Sequence, residues 1–482
     1  MLTPLNSTML SVVLGPLGAD FGDSEALLTQ ALVTTYLVTS IVMQAPSGRL
    51  GDHFGHRRVV AAGQLLFGVA SVGAALSPSL TALTASRILM AVGGALIVPS
   101  ATALIRLEVP AERRGSAFGA FGGSMALAAA VGPLLGGLLT TVGTWRATFA
   151  ANLVVLPIAA ALAGRGRARL KQPGPADDTA HSAGLEPTEA STAASASPTA
   201  RVAPRPSWPR VRFDVAGVIL LGLSLTALVL AASPSRPASP MALCVFSALA
   251  AIAFVAWERR HPNPVIDLHL LGLPVLLAGG LLVALQNLAM YALLFELPSA
   301  VSRGGALGHH GKGLLLGAMM FAMVIASPLS GRLTDRYGSR AVAVSGTLLA
   351  LAGMAALLAA GLTSLSWMVA GLVLLGAGLG LGTTPAQAAA MGAAPRASSG
   401  SAAALLSTLR YLGGVAGVLL LSLTWSAPPD PVAAATEHQT TLWLFVAALV
   451  LAAVCATRLP SGPAAVLRPA PPARVEGSRA PG

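Results

Sequence analysis

The stretch Gly48–Arg58, GRLGDHFGHRR, places six charged or ionisable side chains between two long apolar runs. Charged groups are costly to place in hydrocarbon, so this stretch cannot lie inside a bilayer. It recurs 283 residues later as Gly331–Arg340, GRLTDRYGSR, with Gly, Arg, Leu, Asp, Gly and Arg at matching positions. The sequence therefore predicts an internal duplication in which each copy forms a tight charged loop between two membrane helices.

The composition is that of a polytopic membrane protein. Of the 482 residues, 54% are hydrophobic and 10% are charged, whereas a soluble domain has about 25% charged residues. The net charge of +12 does not indicate nucleic-acid binding, because the basic residues lie in short segments between apolar runs. Cys244 and Cys455 both lie in apolar runs and predict neither a disulfide framework nor a metal site. The expected surroundings are a lipid bilayer.

Fourteen apolar runs predict fourteen transmembrane helices. We place them at residues 3–19, 26–47, 59–76, 80–105, 115–140, 145–163, 213–232, 241–257, 274–297, 313–330, 341–360, 366–391, 401–423 and 441–457. All eight histidines then fall outside the helices. The high usage of Ala, Gly and Arg suggests a bacterial genome rich in G and C, and thus the bacterial plasma membrane.

Lysine and arginine are distributed unevenly over alternate connections. Twenty-four of the thirty lie on one side, four lie on the other, and Arg87 and Arg410 fall within helices. Cytoplasmic segments carry the excess of basic residues in membrane proteins. Both termini and both charged repeats are therefore expected to face the cytoplasm.

The charged repeats, a long connector rich in Ala, Pro, Ser and Arg, the FDVAG opening of the seventh helix and ERRHPNPVIDL after the eighth resemble the major facilitator superfamily. In particular, they resemble its fourteen-helix drug:proton antiporter branch. The resemblance implies an all-α fold of two six-helix bundles with two extra central helices. The implied domains are a first bundle at 1–163, a disordered connector at 164–212, two extra helices at 213–258, a second bundle at 259–457 and a cytoplasmic tail at 458–482.

In this family the charged repeats form a cytoplasmic latch between the bundles. The matching residues are Gly48, Asp52, Gly55, Arg57, Arg58, Glu108, Gly331, Asp335, Arg336, Gly338 and Arg340. An anion at a helix N-terminus gains about 0.3 to 1 kcal/mol, so Asp52 is predicted to approach Ser399–Ser401 and Asp335 to approach Gly115 and Ser116. Glu108 is expected to pair with Arg57 or Arg58. The alternative is that both repeats only fix topology.

The resemblance also implies a hinge or gate, proton-coupling residues and a substrate cavity. The gate residues, on the fifth helix, are Gly119, Gly132, Pro133, Gly136 and Gly137; the alternative is ordinary small-residue packing. The coupling candidates are Arg87, Glu296 and Arg410; the alternatives are structural arginines and a solvated rim carboxylate. Tyr36, Gln44, Gln286, Asn287, Met290 and Tyr291 are expected to line the cavity, or else simply to pack. Asn6 stands where the branch often has an acid.

The predicted function is export of small amphiphilic compounds or drugs in exchange for protons, by alternating access. We expect a monomer without cofactor or metal. An importer or uniporter of the same fold, and a scaffold or receptor that does not transport, remain alternatives. An ATP-driven pump is disfavoured because GHHGKG at 308–313 departs from GxxxxGK[ST]. An enzyme is disfavoured because the helices contain no cluster of histidines or acids.

Overall fold

A computed structural model describes residues 2–153, 214–231, 238–261, 264–303, 309–360, 364–424 and 431–462. Helices occupy all fourteen predicted positions. They are α1 Leu2–Phe21; α2, formed by Glu25–Leu28, a π-helical turn Thr29–Thr34 and Thr35–Phe54; α3 His56–Ala75; α4 Leu80–Glu108; α5 Arg114–Val142; α6 145–153; α7 Val215–Ala231; α8 Pro240–Glu258; α9 Pro274–Arg303; α10 His309–Tyr337; α11 Ser339–Ala360; α12 Leu365–Ala393; α13 Ser399–Thr424; and α14 Pro431–Thr457. The predicted connector and most of the predicted tail lie outside the described residues.

Within these ranges, nine helices are long and apolar enough to cross a membrane. They are α3, α4, α5, α8, α9, α11, α12, α13 and α14. The chain is thus an almost entirely helical, multi-pass membrane protein, and the total of fourteen crossings stays a prediction.

The helices pack in a pattern that repeats along the chain. Helix α1 packs on α5 and α3 on α4, while in the second set α9 packs on α13 and α11 on α12. Between the two sets, α2 crosses α13 and α5 crosses α10. The extra helices α7 and α8 pack on each other, and α7 also contacts α2 and α13. The packing therefore follows the duplication seen in the sequence.

The charged repeats are helical, so the prediction of two loops is wrong. The first repeat forms the end of α2 as far as Phe54, and the second forms the end of α10 as far as Tyr337. Each helix stops at a glycine with positive φ, Gly55 at 89° and Gly338 at 87°. A residue with a Cβ rarely adopts this conformation. A single glycine thus reverses the chain, and the polar residues before it stay helical.

Two other helices begin earlier than predicted. Helix α14 begins at Pro431 instead of Thr441, and α10 begins at His309 instead of Gly313. The residues added to each helix include polar or charged side chains, which look like connections when hydropathy alone is considered. One consequence is that His438 lies inside α14, so the prediction that every histidine lies outside the helices is wrong.

Candidate functional site

Asp52, on the last turn of α2, caps the start of α13. Its Oδ1 accepts a hydrogen bond of 2.7 Å from the backbone N–H of Gly400, and its Oδ2 accepts bonds of 2.9 and 2.8 Å from the N–H and hydroxyl of Ser401. The first N–H groups of a helix have no partner within the helix, and negative charge is favoured there. The predicted approach is therefore present, although Ser399 does not take part and donates its hydroxyl to Arg396.

Asp335 makes the equivalent contact from the second set. Its two carboxylate oxygens accept hydrogen bonds of 2.7 and 2.8 Å from the backbone N–H groups of Gly115 and Ser116 at the start of α5, and the Ser116 hydroxyl donates to it as well. This second predicted approach is also present. The two aspartates thus join the two sets of helices at related positions on one face, which we call the latch face.

Glycines bring the crossing helices into contact beside each aspartate. A Cβ added to Gly48 would lie 2.4 Å from the carbonyl oxygen of Gly400, and one added to Gly331 would lie 2.3 Å from that of Gly115. Gly119 sits at the same α5–α10 crossing, where a Cβ would lie 2.5 Å from the carbonyl oxygen of Ser327. Both capping contacts therefore require the backbones of the two crossing helices to pack directly against each other.

Gly331→Ala should destabilise the protein because its new methyl group would meet backbone atoms of Gly115 and Ser116 on α5, which cannot move aside as a side chain can. Overpacking of this kind costs about 1 to 3 kcal/mol. The measurement is the thermal unfolding midpoint of the purified protein in detergent. Gly317→Ala, also on α10, is the matched control, because nothing lies within 4 Å of its added Cβ. Equal midpoints for the two variants would contradict the crossing geometry.

The arginines that follow the two aspartates differ in their partners. Arg57 donates to the Glu108 carboxylate from Nε at 2.7 Å and from Nη2 at 2.9 Å, as predicted. This pair is exposed, so solvent screens it and it contributes little to stability. The matching Arg340 donates instead to the carbonyl of Leu459, beyond the end of α14, at 2.7 Å.

The remaining two predicted latch arginines are exposed to the surroundings. Arg58 lies on the first turn of α3, and Arg336 lies 5.2 Å over the ring of Tyr337. Among the described residues, neither forms an ion pair with the opposite set of helices. They are placed to contact solvent or lipid headgroups on the latch face.

Arg106 forms a third contact between the two sets that the sequence reasoning missed. From the end of α4 it donates to the carbonyl of Met391 at 2.7 Å and to those of Gly392 and Ala394 at 3.3 and 3.4 Å. These carbonyls lie at the end of α12, where a cation is favoured by the helix dipole. The sequence showed only a basic residue near a helix end, because backbone acceptors leave no side-chain pattern.

Arg106→Gln should lower the free energy of unfolding by about 2 kcal/mol, the range expected for hydrogen bonds to a charged group. The amide is too short to reach three carbonyls. Thermal unfolding in detergent is the measurement, and Arg113→Gln is the control because Arg113 is exposed on the same face. If both variants unfold at the wild-type temperature, the contact does not stabilise this state.

Two of the predicted gate residues on α5, Gly132 and Gly136, lie in close contact with α1. A Cβ on Gly132 would lie 3.0 Å from the carbonyl oxygen of Leu5, and one on Gly136 would lie 2.9 Å from that of Met9. Pro133 is exposed between them, and Gly137 is partly buried on the same helix. The geometry is that of a tight helix pair, and movement at this pair stays a prediction.

Arg87 on α4 is 1% exposed and has only uncharged partners. One Nη donates to Oδ1 of Asn6 on α1, and Nε and the other Nη each lie 3.3 Å from the carbonyl oxygen of Leu32. The guanidinium carbon lies 4.3 Å from the ring centroid of Tyr36, a cation–π contact.

Arg410 on α13 is similarly placed in the second set of helices. One Nη donates to Oε1 of Gln387 at 2.9 Å, while its Nε is buried without a hydrogen-bond partner. Both predicted helix-borne arginines are thus inside the protein, each beside a neutral amide.

Glu296 on α9 is 2% exposed and lies against a second buried ionisable group. Its Oε1 is 2.5 Å from Nδ1 of His438 on α14, and its Oε2 is buried without a hydrogen-bond partner. The description of Glu296 as a solvated rim charge is therefore wrong. Helix α9 is long enough to carry Glu296 about 33 Å from Pro274 at 1.5 Å per residue, far from the latch face.

The predicted cavity residues fall into two groups. Gln286 and Asn287 bind within their own half: Gln286 accepts from the Thr383 hydroxyl at 2.8 Å and approaches that of Thr347 at 3.4 Å, and Asn287 donates to the Val283 carbonyl at 2.8 Å. These contacts tie α9 to α11 and α12. These hydrogen bonds account for both buried amide side chains without a bound ligand.

The other four predicted cavity residues include groups that lack partners. The hydroxyl of Tyr36 and Oε1 of Gln44 are buried and unpaired among the described residues. Met290 packs against a buried apolar cluster of the second set. Tyr291 is partly buried beside Gly414 of α13, where an added Cβ would lie 3.0 Å from its ring.

In this helical membrane protein, two related sets of helices contact each other where α2 crosses α13 and α5 crosses α10. This arrangement defines the class of two-bundle carriers. The family profile of the Major Facilitator Superfamily matches residues 1–418, so the chain belongs to that family. It is a transporter and not an enzyme.

Proteins with known names or structures are similar over most of the chain. An uncharacterised major-facilitator-type transporter YvkA of Bacillus subtilis is 30% identical over 88% of both chains. The tetracenomycin C resistance and export protein of Streptomyces glaucescens is 29% identical over 89% of this chain and 76% of its own length. The solved proton:xylose symporter XylE aligns with a TM-score of 0.60 and 16% identity, covering 96% of this chain and 94% of that one, which shows the shared fold.

Proposed function

We propose that this transporter exports small amphiphilic compounds, drugs among them, in exchange for protons, as a member of the fourteen-helix drug:proton antiporter branch. The observation that carries the proposal is the pair of capping contacts made by Asp52 and Asp335. Alternating access requires two bundles that open and close around a shared cleft. The contacts of Asp52 and Asp335 can hold the two bundles together at the latch face and can break when that face opens. The named export function of the tetracenomycin C relative supports the direction and the kind of compound.

The proposal includes an orientation. The excess of Lys and Arg on one side supports an orientation with the latch face and both termini in the cytoplasm of a bacterium. With the aspartates in contact, the cytoplasmic side of the cleft is closed. Release of the latch would admit a compound from the cytoplasm, and a monomer is sufficient because each chain carries both bundles.

We assign proton coupling to Glu296, with Arg87 and Arg410 as the charged groups nearer the centre. Glu296 can exchange a proton with His438 across 2.5 Å, and its free Oε2 leaves room for a second donor. A buried ionisable group in a membrane helix is a functional candidate by default because its burial is costly. Tyr36, Gln44, Met290 and Tyr291 would line the path of the compound.

Expression in a bacterial host that lacks its own drug pumps tests the direction of transport. An exporter lowers the accumulation of a fluorescent amphiphile, an importer raises it, and a scaffold leaves it unchanged. Collapse of the proton gradient with an uncoupler should restore accumulation to the level of the empty vector. The Asp52→Asn/Asp335→Asn variant, expressed at the same level, is the control for inactive protein. Accumulation equal to the empty vector with wild-type protein in the membrane would overturn the proposal.

A further inference from the structure

The two buried arginines carry positive charge that no carboxylate of the described residues balances in an ion pair. Arg87 contacts an amide, a carbonyl and an aromatic ring, and Arg410 contacts an amide. None of the ion pairs found in the described ranges includes either of them. A buried charge without an opposite partner is costly. An occupant with negative charge would relieve that cost.

Seven buried or paired carboxylates of the described residues have partners other than the two arginines. Asp52 and Asp335 cap helices, Glu108 pairs with Arg57, and Asp20 pairs with Arg146. Asp214 accepts a backbone N–H group at the start of α7, and Glu258 accepts two from the chain that follows α8. Glu296 pairs with His438. The centre is therefore basic in both halves.

Three tyrosines lie beside the two arginines. Tyr36 lies under Arg87. Tyr291 of α9 lies against Gly414, one turn beyond Arg410 on α13. Tyr411, next to Arg410, packs in one apolar cluster with Ile41 of α2. These side chains come from α2, α4, α9 and α13, which belong to both sets of helices. Aromatic rings beside guanidinium groups offer stacking surface together with positive charge.

We propose that the transported compound is an organic anion, an amphiphile with an aromatic body and a carboxylate, phenolate or sulfonate group. The anionic group would bind Arg410, whose Nε has no partner and whose side chain is partly accessible. Arg87 is fully buried and would act through the electrostatic field, which is strong at low dielectric constant. This inference deepens the proposed function by naming its substrate class and rests on that function for transport, whereas the preference for charge can be measured by binding alone.

The test compares two dyes that share a xanthene ring system, fluorescein as the anion and rhodamine 123 as the cation. Fluorescence polarisation with the purified full-length protein gives both affinities. We expect fluorescein to bind at least about tenfold more tightly than rhodamine 123, as unbalanced positive charge at low dielectric constant would produce. Equal affinities, tighter binding of rhodamine 123, or no binding of fluorescein would overturn the proposal.

Variants at Asn6 separate charge from shape. Asn6→Asp places a carboxylate in contact with Arg87 and should lower the preference for fluorescein by about tenfold, since it cancels one of the two charges. Asn6→Leu is the matched control: it removes the hydrogen bond but leaves Arg87 charged, so the preference should stay as in the wild type. Gln387→Glu repeats the test at Arg410. If Asn6→Leu loses the preference as fully as Asn6→Asp, shape and not charge determines it, and the proposal is wrong.

The same dyes distinguish this inference from the proposed function. Fluorescein binding without efflux from cells would leave the charge preference intact and contradict export. Efflux of rhodamine 123 in preference to fluorescein would support export and overturn the anionic substrate class.

Discussion

Glu296→Gln should abolish transport driven by the proton gradient while leaving the protein able to exchange its compound across the membrane. Glutamine preserves the size and the polar contact with His438 but cannot exchange a proton. A proton moving through about 100 mV supplies about 2.3 kcal/mol, so losing it lowers the attainable concentration ratio about fiftyfold. The measurement is dye accumulation in inverted vesicles with an imposed proton gradient.

Two controls make this result specific. Asp20→Asn removes an acid that pairs with Arg146 and is itself exposed, and it should keep the wild-type ratio. Exchange between loaded vesicles and external compound without a gradient shows whether Glu296→Gln remains folded and mobile. Unchanged gradient-driven accumulation would remove Glu296 from the coupling mechanism. If Glu296→Gln lost both gradient-driven accumulation and exchange without a gradient, and unfolded at the wild-type temperature, Glu296 would be required for movement of the compound and not only for proton coupling.

Asp52→Asn/Asp335→Asn should shift the protein towards the state that is open at the latch face. Each substitution replaces a carboxylate that accepts two backbone N–H groups by a neutral amide, and hydrogen bonds to charged groups contribute about 1.5 to 3 kcal/mol. The ratio of closed to open protein should therefore fall about tenfold or more for each aspartate. A cysteine introduced at Ala103, which is fully buried near the α4–α12 contact, reports the opening through labelling by a maleimide.

The labelling experiment uses protein in which Cys244 and Cys455 are replaced by serine. Glu112→Gln is the matched control, because Glu112 is an exposed acid on the same face without a role in capping. We expect faster labelling in the double aspartate variant and unchanged labelling in the control. Equal labelling rates in both would show that the aspartates do not hold this face closed.

The fold and the two capping contacts were predictable because their signals lie in the side chains. A repeated Asp between glycines, after an apolar run, identifies the duplication, and the resemblance to the family supplies the helix starts that the two aspartates approach. His438 was not recognised as helical, since it lies in the polar stretch Thr436–Thr441 of α14, which has the hydropathy of a connection. Arg106 was not found because its partners are carbonyl groups, which every residue has. The buried state of Glu296 depends on the packing of α9 against α14, which no local pattern encodes.

The contacts that close the latch face have a consequence for how easily the protein changes shape. Asp52, Asp335 and Arg106 all bind backbone groups of the opposite half, and each of these groups can bind water once the halves separate. Because hydration replaces most of what is lost, the net cost of breaking such a bond is small compared with its strength. The contacts of a purely apolar interface of equal area could not be replaced by hydrogen bonds to water. In the proposed alternating-access cycle, hydration of these backbone groups would lower the free-energy cost of opening the latch face.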